Sequence, residues 1–168
     1  SVYTQQELEA LAAVLKKNKN IYVISDEIYE HINFTGKHAS LARIDGMFDN
    51  VITVNGVSKA FCMTGWRIGF IGASKEIATA CNKLQGQFTS GASSIAQRAA
   101  LAAMQADPKV VAPMREAFLK RRDLVLSLLK DVPGLKCNVP TGAFYVFPVV
   151  SSFFGKSFGG KKINTKKY

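Results

Sequence analysis

The chain has 168 residues, of which 48% are hydrophobic and 20% charged, so it is long enough for one globular domain with a substantial core. No apolar run approaches a membrane span, Ser1-Val-Tyr-Thr-Gln-Gln-Glu7 is no secretion signal, and Cys62, Cys81 and Cys137 have neither metal-ligand spacing nor an even-numbered disulfide framework. The formal charge of +10 raises nucleic acid as a partner, but Lys and Arg are spread over helices and a tail, Lys161 to Lys167, without interleaved aromatics; solvated faces explain it, and a cytoplasmic chain with no membrane, nucleic-acid or metal partner is expected.

In chain order, Thr4 and Glu7 make a capping box, and Leu8, Leu11, Ala12 and Leu15 keep helical spacing. Ile21 to Ile24 is short and continuously apolar, as a buried strand would be. Residues 32–50 are polar and irregular, with Gly36, Gly46 and Asn50 at turns. Val51 to Val54 predicts a second strand and Arg67 to Ile71 a third. Ser74 is placed to cap a helix reaching about Gln85, which Gly86 to Gly91 should break. Ser93 to Gln105 reads as an Ala-rich helix. From Pro108 a long helical stretch reaches Lys130, with Met114, Phe118, Val125, Leu128 and Leu129 on one face, and Pro133-Gly134 stops it. Gly142 to Phe147 reads as a strand, and the Gly- and Lys-rich tail from Ser151 shows no partner.

Chemistry concentrates around the second strand. Lys59 follows it closely, and a charge between two core strands is expensive unless the amine is used. Eight residues on, Arg67 offers a planar fork suited to a phosphate. Asp26 and Tyr29 stand at the end of the first strand. An amine, a phosphate binder, a carboxylate and a phenol are what a pyridoxal-phosphate site requires. Each has a plainer alternative: a surface lysine, a turn aspartate, a half-buried core tyrosine and an ordinary ion pair. Glu27, one residue past Asp26, reads as structural, and Trp66 reads as packing beside the site.

Three ordered segments, Ser25-Asp-Glu-Ile-Tyr29, Val54-Asn-Gly-Val-Ser-Lys59 and Met63-Thr-Gly-Trp-Arg-Ile-Gly69, resemble class I/II aminotransferases of pyridoxal-phosphate fold type I. The bacterial-type aspartate aminotransferases are the most similar group. The resemblance runs to about Pro148. It implies an α/β fold: part of a three-layer large domain, mostly parallel sheet flanked by helices. Residues 1–107 would be the C-terminal half of that cofactor domain, 108–130 the interdomain helix, and 131–168 the start of a small α+β domain. The third strand should run antiparallel to the first two.

The resemblance also assigns roles. Lys59 is expected to form the aldimine, Asp26 to pair with the pyridine nitrogen, Tyr29 to bond the ring's phenolic oxygen, and Arg67 to hold the phosphate. Ser58 is a further phosphate contact, whereas Gly56 stands where the family often has a phosphate-binding serine. Expected substrates are amino acids and 2-oxo acids, namely aspartate with 2-oxoglutarate, in a homodimer. Other readings are a different enzyme of this fold, such as a lyase, or a non-catalytic piece that only folds or associates. Phe144 and Tyr145 resemble the substrate-facing segment. An asparagine before Ser1, a stacking aromatic and the α-carboxylate arginine would all lie outside residues 1–168, so this piece alone is expected to associate and not to turn over.

Overall fold

The first helix begins where the capping pair requires. In the computed structural model, which describes residues 2–164, α1 spans Gln5–Leu15. The Thr4 hydroxyl accepts the Glu7 N–H at 3.2 Å, and the Glu7 carboxylate accepts the Thr4 N–H at 2.7 Å. Two backbone donors that a helix start leaves open are thereby closed. The apolar stripe is narrower than its spacing suggests: Leu8 and Ala12 are buried, while Leu11 remains 45% exposed.

Three strands form one sheet in the order β1-β2-β3. β1 (Val23–Asp26) pairs in parallel with β2 (Val51–Gly56), Val23 facing Val51 and Asp26 facing Val54. β3 (Gly69–Gly72) runs antiparallel to β2, as expected, with Gly56 opposite Gly69. The reading of 21–24 as a buried strand needs correction. Pairing starts at Val23, and Ile24 is 71% exposed. β1 lies at the sheet edge, and its outward side chains meet no covering layer among the described residues. β3 likewise starts two residues later than the apolar run, because Arg67 takes a left-handed turn (φ 51°) before it.

The irregular stretch between β1 and β2 contributes more packing than its polarity suggests. Leu41 and Met47 join Leu8, Ala12 and Val51 in the core cluster. Asn50 fastens the end of this stretch, its side-chain amide donating to the carbonyls of Lys19 and Ile21 at 2.9 and 3.3 Å.

Three longer helices follow: α2 (Lys75–Phe88), α3 (Ser94–Gln105) and α4 (Ala112–Lys130). The break expected over Gly86 to Gly91 falls inside that stretch but later than Gly86: the helix runs through Gly86 and ends at Phe88. A single glycine costs only about 1 kcal/mol inside a helix, which neighbouring turns absorb. Ser74 occupies the N-cap position of α2 but makes no side-chain capping bond. A short 3₁₀ turn, Pro108–Val111, precedes α4 and lets Pro113 sit in its first turn, where a missing N–H costs little.

The strand expected at 142–147 does not form. Gly142 makes one isolated bridge to Asn33, Lys136 makes another to Val149, and Phe147 is 94% exposed. Ala143 at φ 58° turns the chain out of an extended path, so no continuous ladder is available there. The tail finds a partner in itself, β4 (Ser157–Phe158) pairing antiparallel with β5 (Lys161–Lys162). Residues 165–168 of the basic tail lie outside the described residues. Among those described, no helix is long and apolar enough to cross a membrane.

Candidate active site

Parallel pairing brings the carboxyl ends of β1 and β2 to one sheet edge, the place where open α/β sheets hold ligands. Asp26 is the last residue of β1, and Lys59 lies three residues beyond β2. Because β3 is antiparallel, it starts at that same edge, with Arg67 two residues before it. The β2–β3 pair closes tightly there. A Cβ built on Gly56 would lie 3.2 Å from Gly69 Cα and from the Ile68 carbonyl, and 3.3 Å from Ile28 Cδ1. A serine at position 56 would therefore press on the β3 backbone, which accounts for the glycine found there.

Lys59 occupies the turn after β2, its carbonyl accepting the Cys62 N–H at 3.3 Å. It is half-buried rather than enclosed between core strands, because the chain has already left the sheet at Gly56. Its Nζ stands 5.6 Å from the centre of the Phe144 ring, and among the described residues it makes no ion pair. The exposed Asp26 accepts the Ile28 N–H on Oδ1 at 3.2 Å, a turn that leaves the carboxylate at the strand end.

Tyr29 packs edge-on against Phe144 (5.2 Å between ring centres) and shares a 2.6 Å hydroxyl contact with Tyr145. Burial, the Tyr145 hydrogen bond and the nearby Asp26 charge push its phenol well above the ordinary value of 10.0. Tyr29 thus keeps its proton at any physiological pH and offers an O–H.

Arg67 donates through Nη1 to the Thr64 carbonyl at 2.9 Å and, among the described residues, meets no carboxylate. Thr64 in turn donates its hydroxyl to the Ser58 carbonyl at 3.0 Å, tying the Arg67 turn to the Lys59 turn. It is the backbone of Ser58 that is held. Trp66 is 46% exposed and walls an open groove with Ile95 and Ala96, so it is less packed than expected.

Two sets of contacts were not legible in the sequence, although Phe144 and Tyr145 themselves resemble the family's substrate-facing segment. Phe144 and Tyr145 reach Lys59 and Tyr29 from more than eighty residues away in sequence, a placement only the fold supplies. His38 and Ser40 both donate to Glu27, at 2.7 Å each, and Ser25 adds a third bond at 3.0 Å. Glu27 is 9% exposed, so its structural reading stands, with partners that no spacing announced. Burial alone would raise the Glu27 carboxyl, but the bonds from His38, Ser40 and Ser25 outweigh it and hold it below 4.5. The same Glu27 bond raises His38 above 6.5 against the opposing effect of burial.

A model of the family "Aminotransferase class I and II" matches residues 1–158. The chain belongs to that family. It is 47% identical over 164 residues to a bifunctional aspartate aminotransferase and glutamate/aspartate-prephenate aminotransferase of Petunia hybrida, covering 95% of this chain and 34% of the relative. An aspartate/prephenate aminotransferase of Cereibacter sphaeroides is 46% identical over 166 residues, covering 97% and 42%. The crystal structure of an aspartate aminotransferase from Rhizobium meliloti superimposes with a TM-score of 0.91 at 38% identity, covering 97% of this chain and 42% of that one. The architecture is therefore a partial α/β aminotransferase fold, and the chain spans between a third and a little over two-fifths of these relatives' length.

Enzymes of this family depend on pyridoxal phosphate. The donor set at the sheet edge fits that group. Among the described residues it offers a guanidinium without a carboxylate partner, an amine without an ion pair, and a carboxylate and a protonated phenol at the neighbouring strand end.

Proposed function

We infer that this chain is the cofactor-holding part of a pyridoxal-phosphate-dependent aminotransferase acting on aspartate and 2-oxoglutarate, working in the cytoplasm as a homodimer. The observation that carries the reading is the meeting of the ends of β1 and β2 with the start of β3 at one edge, with Asp26, Lys59 and Arg67 on the three segments. Aspartate is supported by the names of the Petunia and Cereibacter relatives, which also include prephenate, and 2-oxoglutarate is the acceptor that the family resemblance implies. Residues 1–107 form the cofactor domain in this reading, 108–130 the helix leading out of it, and 131–168 the beginning of a second domain. Exposed apolar side chains on α2 and α3, Phe88 at 84% and Ile95 at 71%, suit burial against further chain or a second subunit.

When bound, pyridoxal phosphate supplies an aldehyde that condenses with an amine and a ring that accepts electrons. Arg67 binds the phosphate with the part of its fork that Thr64 leaves open. Asp26 holds a proton at the pyridine nitrogen through an exposed carboxylate oxygen. Lys59 would contribute the amine, and its Nζ would carry a proton to and from the substrate carbon. Phe144, lying beneath that amine, restricts where it can swing. Tyr29 would offer its hydroxyl proton to the oxygen on the ring in the arrangement where the Tyr145 O–H is the donor of their shared bond.

Treating the chain with pyridoxal phosphate and borohydride, then mapping peptides, tests this assignment. Attachment at Lys59 alone among the lysines is the expected result. Label scattered over Lys16, Lys75 and the tail would overturn it.

A further inference from the structure

Glu27 is a costly residue to bury, and nothing in the chemistry above uses it. It is 9% exposed and accepts three side-chain hydrogen bonds, from Ser25, His38 and Ser40, at 3.0, 2.7 and 2.7 Å. Three of the roughly four acceptor sites of its carboxylate are taken by these bonds, which tie the group to its neighbours and make its work mechanical. Its backbone is fixed as well, the Glu27 N–H donating to the Val54 carbonyl at 2.8 Å and extending the β1–β2 ladder by one residue.

Glu27 is therefore held on both sides, by β2 through its amide and by the 38–40 loop through its carboxylate. The loop itself is anchored, because Leu41 follows Ser40 directly and belongs to the core cluster. Asp26 is the neighbouring residue, and side chains of adjacent residues in extended chain point to opposite sides. Asp26 and Glu27 share one peptide unit, so what grips Glu27 also limits how the backbone that carries Asp26 can turn.

We propose that Glu27, His38 and Ser40 are positioning residues for Asp26, clamping the 26–28 turn so that its carboxylate stays aimed into the sheet-edge site. This rests on the role given to Asp26 above. The clamp has an ionic part, since His38 is the one titratable donor in it. The charged groups facing His38 are Glu27 at 2.7 Å, Glu30 at 4.0 Å and Arg43 from the next turn. Glu30 is shared with His31 at 3.0 Å. Both acids favour protonated His38 and Arg43 opposes it, with the acids prevailing. Asp26 should thus be held more firmly when His38 is charged than when it is neutral.

The Ile28 amide is a direct reporter, because its N–H donates to Asp26 Oδ1. In an amide NMR titration of the chain between pH 5 and 9, the Ile28 signal should shift with the same midpoint as the His38 ring. His38→Gln, which can still donate one neutral hydrogen bond, should abolish that step while leaving Ile28 dispersed. Ser40→Ala should keep the step and lower Ile28 exchange protection about tenfold. Glu27→Gln should move the His38 midpoint down toward its ordinary value and lower Ile28 protection likewise. An Ile28 signal that ignores both the His38 titration and the Ser40 substitution overturns the proposal. A separate arm adds pyridoxal phosphate and compares Asp26→Asn with the unsubstituted chain by its visible band. If Asp26→Asn leaves the band and its pH profile unchanged while the Ile28 step persists, the cofactor assignment of Asp26 fails and the clamp stands.

Discussion

Residues 5–57 and residues 75–130 carry equally convincing apolar stripes and do different things with them. The first region buries Leu8, Ala12, Ile32, Leu41, Met47, Val51 and Val57. In the second, α2 and α4 bury no residue, and Leu84, Phe88, Leu124 and Leu128 are each more than half exposed. Helical spacing is present on both sides of the comparison, so periodicity does not explain the difference. It defines which face could be covered; only a partner element decides whether that face is covered. In the first region α1, the 41–50 segment and β2 cover one another. Among the described residues, α4 meets the 140–145 segment through single side chains, Phe118 stacking on Phe144 and Arg122 donating to the Pro140 carbonyl, which half-covers its face without burying any residue of it.

The largest expected effect follows from that contrast. Ile32 is fully buried, so Ile32→Ala should destabilise by about 2–5 kcal/mol, from lost apolar transfer and the cavity left behind. Leu128 is 58% exposed, and Leu128→Ala should change stability by less than about 0.5 kcal/mol. Urea titration of both variants measures the two effects. Equal losses would mean that α4 is packed in solution against something the chain itself provides, and the contrast between the regions would collapse.

Next in size is Arg67→Ala, which tests the edge that the first region builds. Removing a charge-assisted fork should weaken retention of pyridoxal phosphate by about 1.5–3 kcal/mol, roughly tenfold or more. Arg121→Ala on α4, whose guanidinium stacks on Phe118, should leave retention unchanged. Equilibrium dialysis against the cofactor separates them. If both weaken retention alike, the phosphate is being held by general positive charge and not by the β3 turn.

A smaller effect, confined to the first region, comes from pH. His38 is raised above 6.5, so its contribution to stability is full below about pH 6.5 and disappears as pH rises through the raised folded-state value. Glu27 is lowered below 4.5, so its contribution is full above about pH 4.5 and disappears as pH falls through the depressed value. Both are fully present together between those limits. Melting temperature should therefore be highest across that window and decline on either side, and His38→Gln should flatten only the alkaline decline. A melting curve of the His38→Gln variant that still declines above pH 7 by the same amount would assign that decline to other groups.

What the sequence disclosed divides along the same line. The capping box, the three strands and their order were legible because each rests on local chemistry or on motifs with fixed spacing: Thr4 with Glu7, Asp26 with Tyr29, Lys59 with Arg67. The exposure of Ile24 was not, because a continuous apolar run looks the same whether one face of the sheet is covered or bare. The strand expected at 142–147 failed for a related reason. Aromatic alternation supplies a strand's side chains, yet a strand needs a backbone partner, and Ala143 turns away after a single bridge. Of the site, the four polar residues were visible in their motifs. Phe144 under Lys59, Tyr145 on Tyr29 and His38 on Glu27 depend on distant segments meeting, which no local pattern encodes.

The smallest expected effect bears on where the second region's helices end. α2 was expected to reach about Gln85 and to break over Gly86 to Gly91, and the helix continues through Gly86 to Phe88, with Thr89 as its C-cap. A methyl group built on Gly86 meets no heavy atom within 4 Å, so Gly86→Ala introduces no clash. If the residue is helical in solution, alanine lowers the entropy of the unfolded chain and fits the native backbone unchanged. It should then stabilise the protein by roughly 0.5–1 kcal/mol. Phe88, 84% exposed two residues further on, has little packing to lose by the change. If instead the helix breaks at Gly86, as its sequence alone suggests, alanine would force a turn residue and the stability would fall. Calorimetry of the single variant therefore decides between the two descriptions of this helix by the sign of the shift.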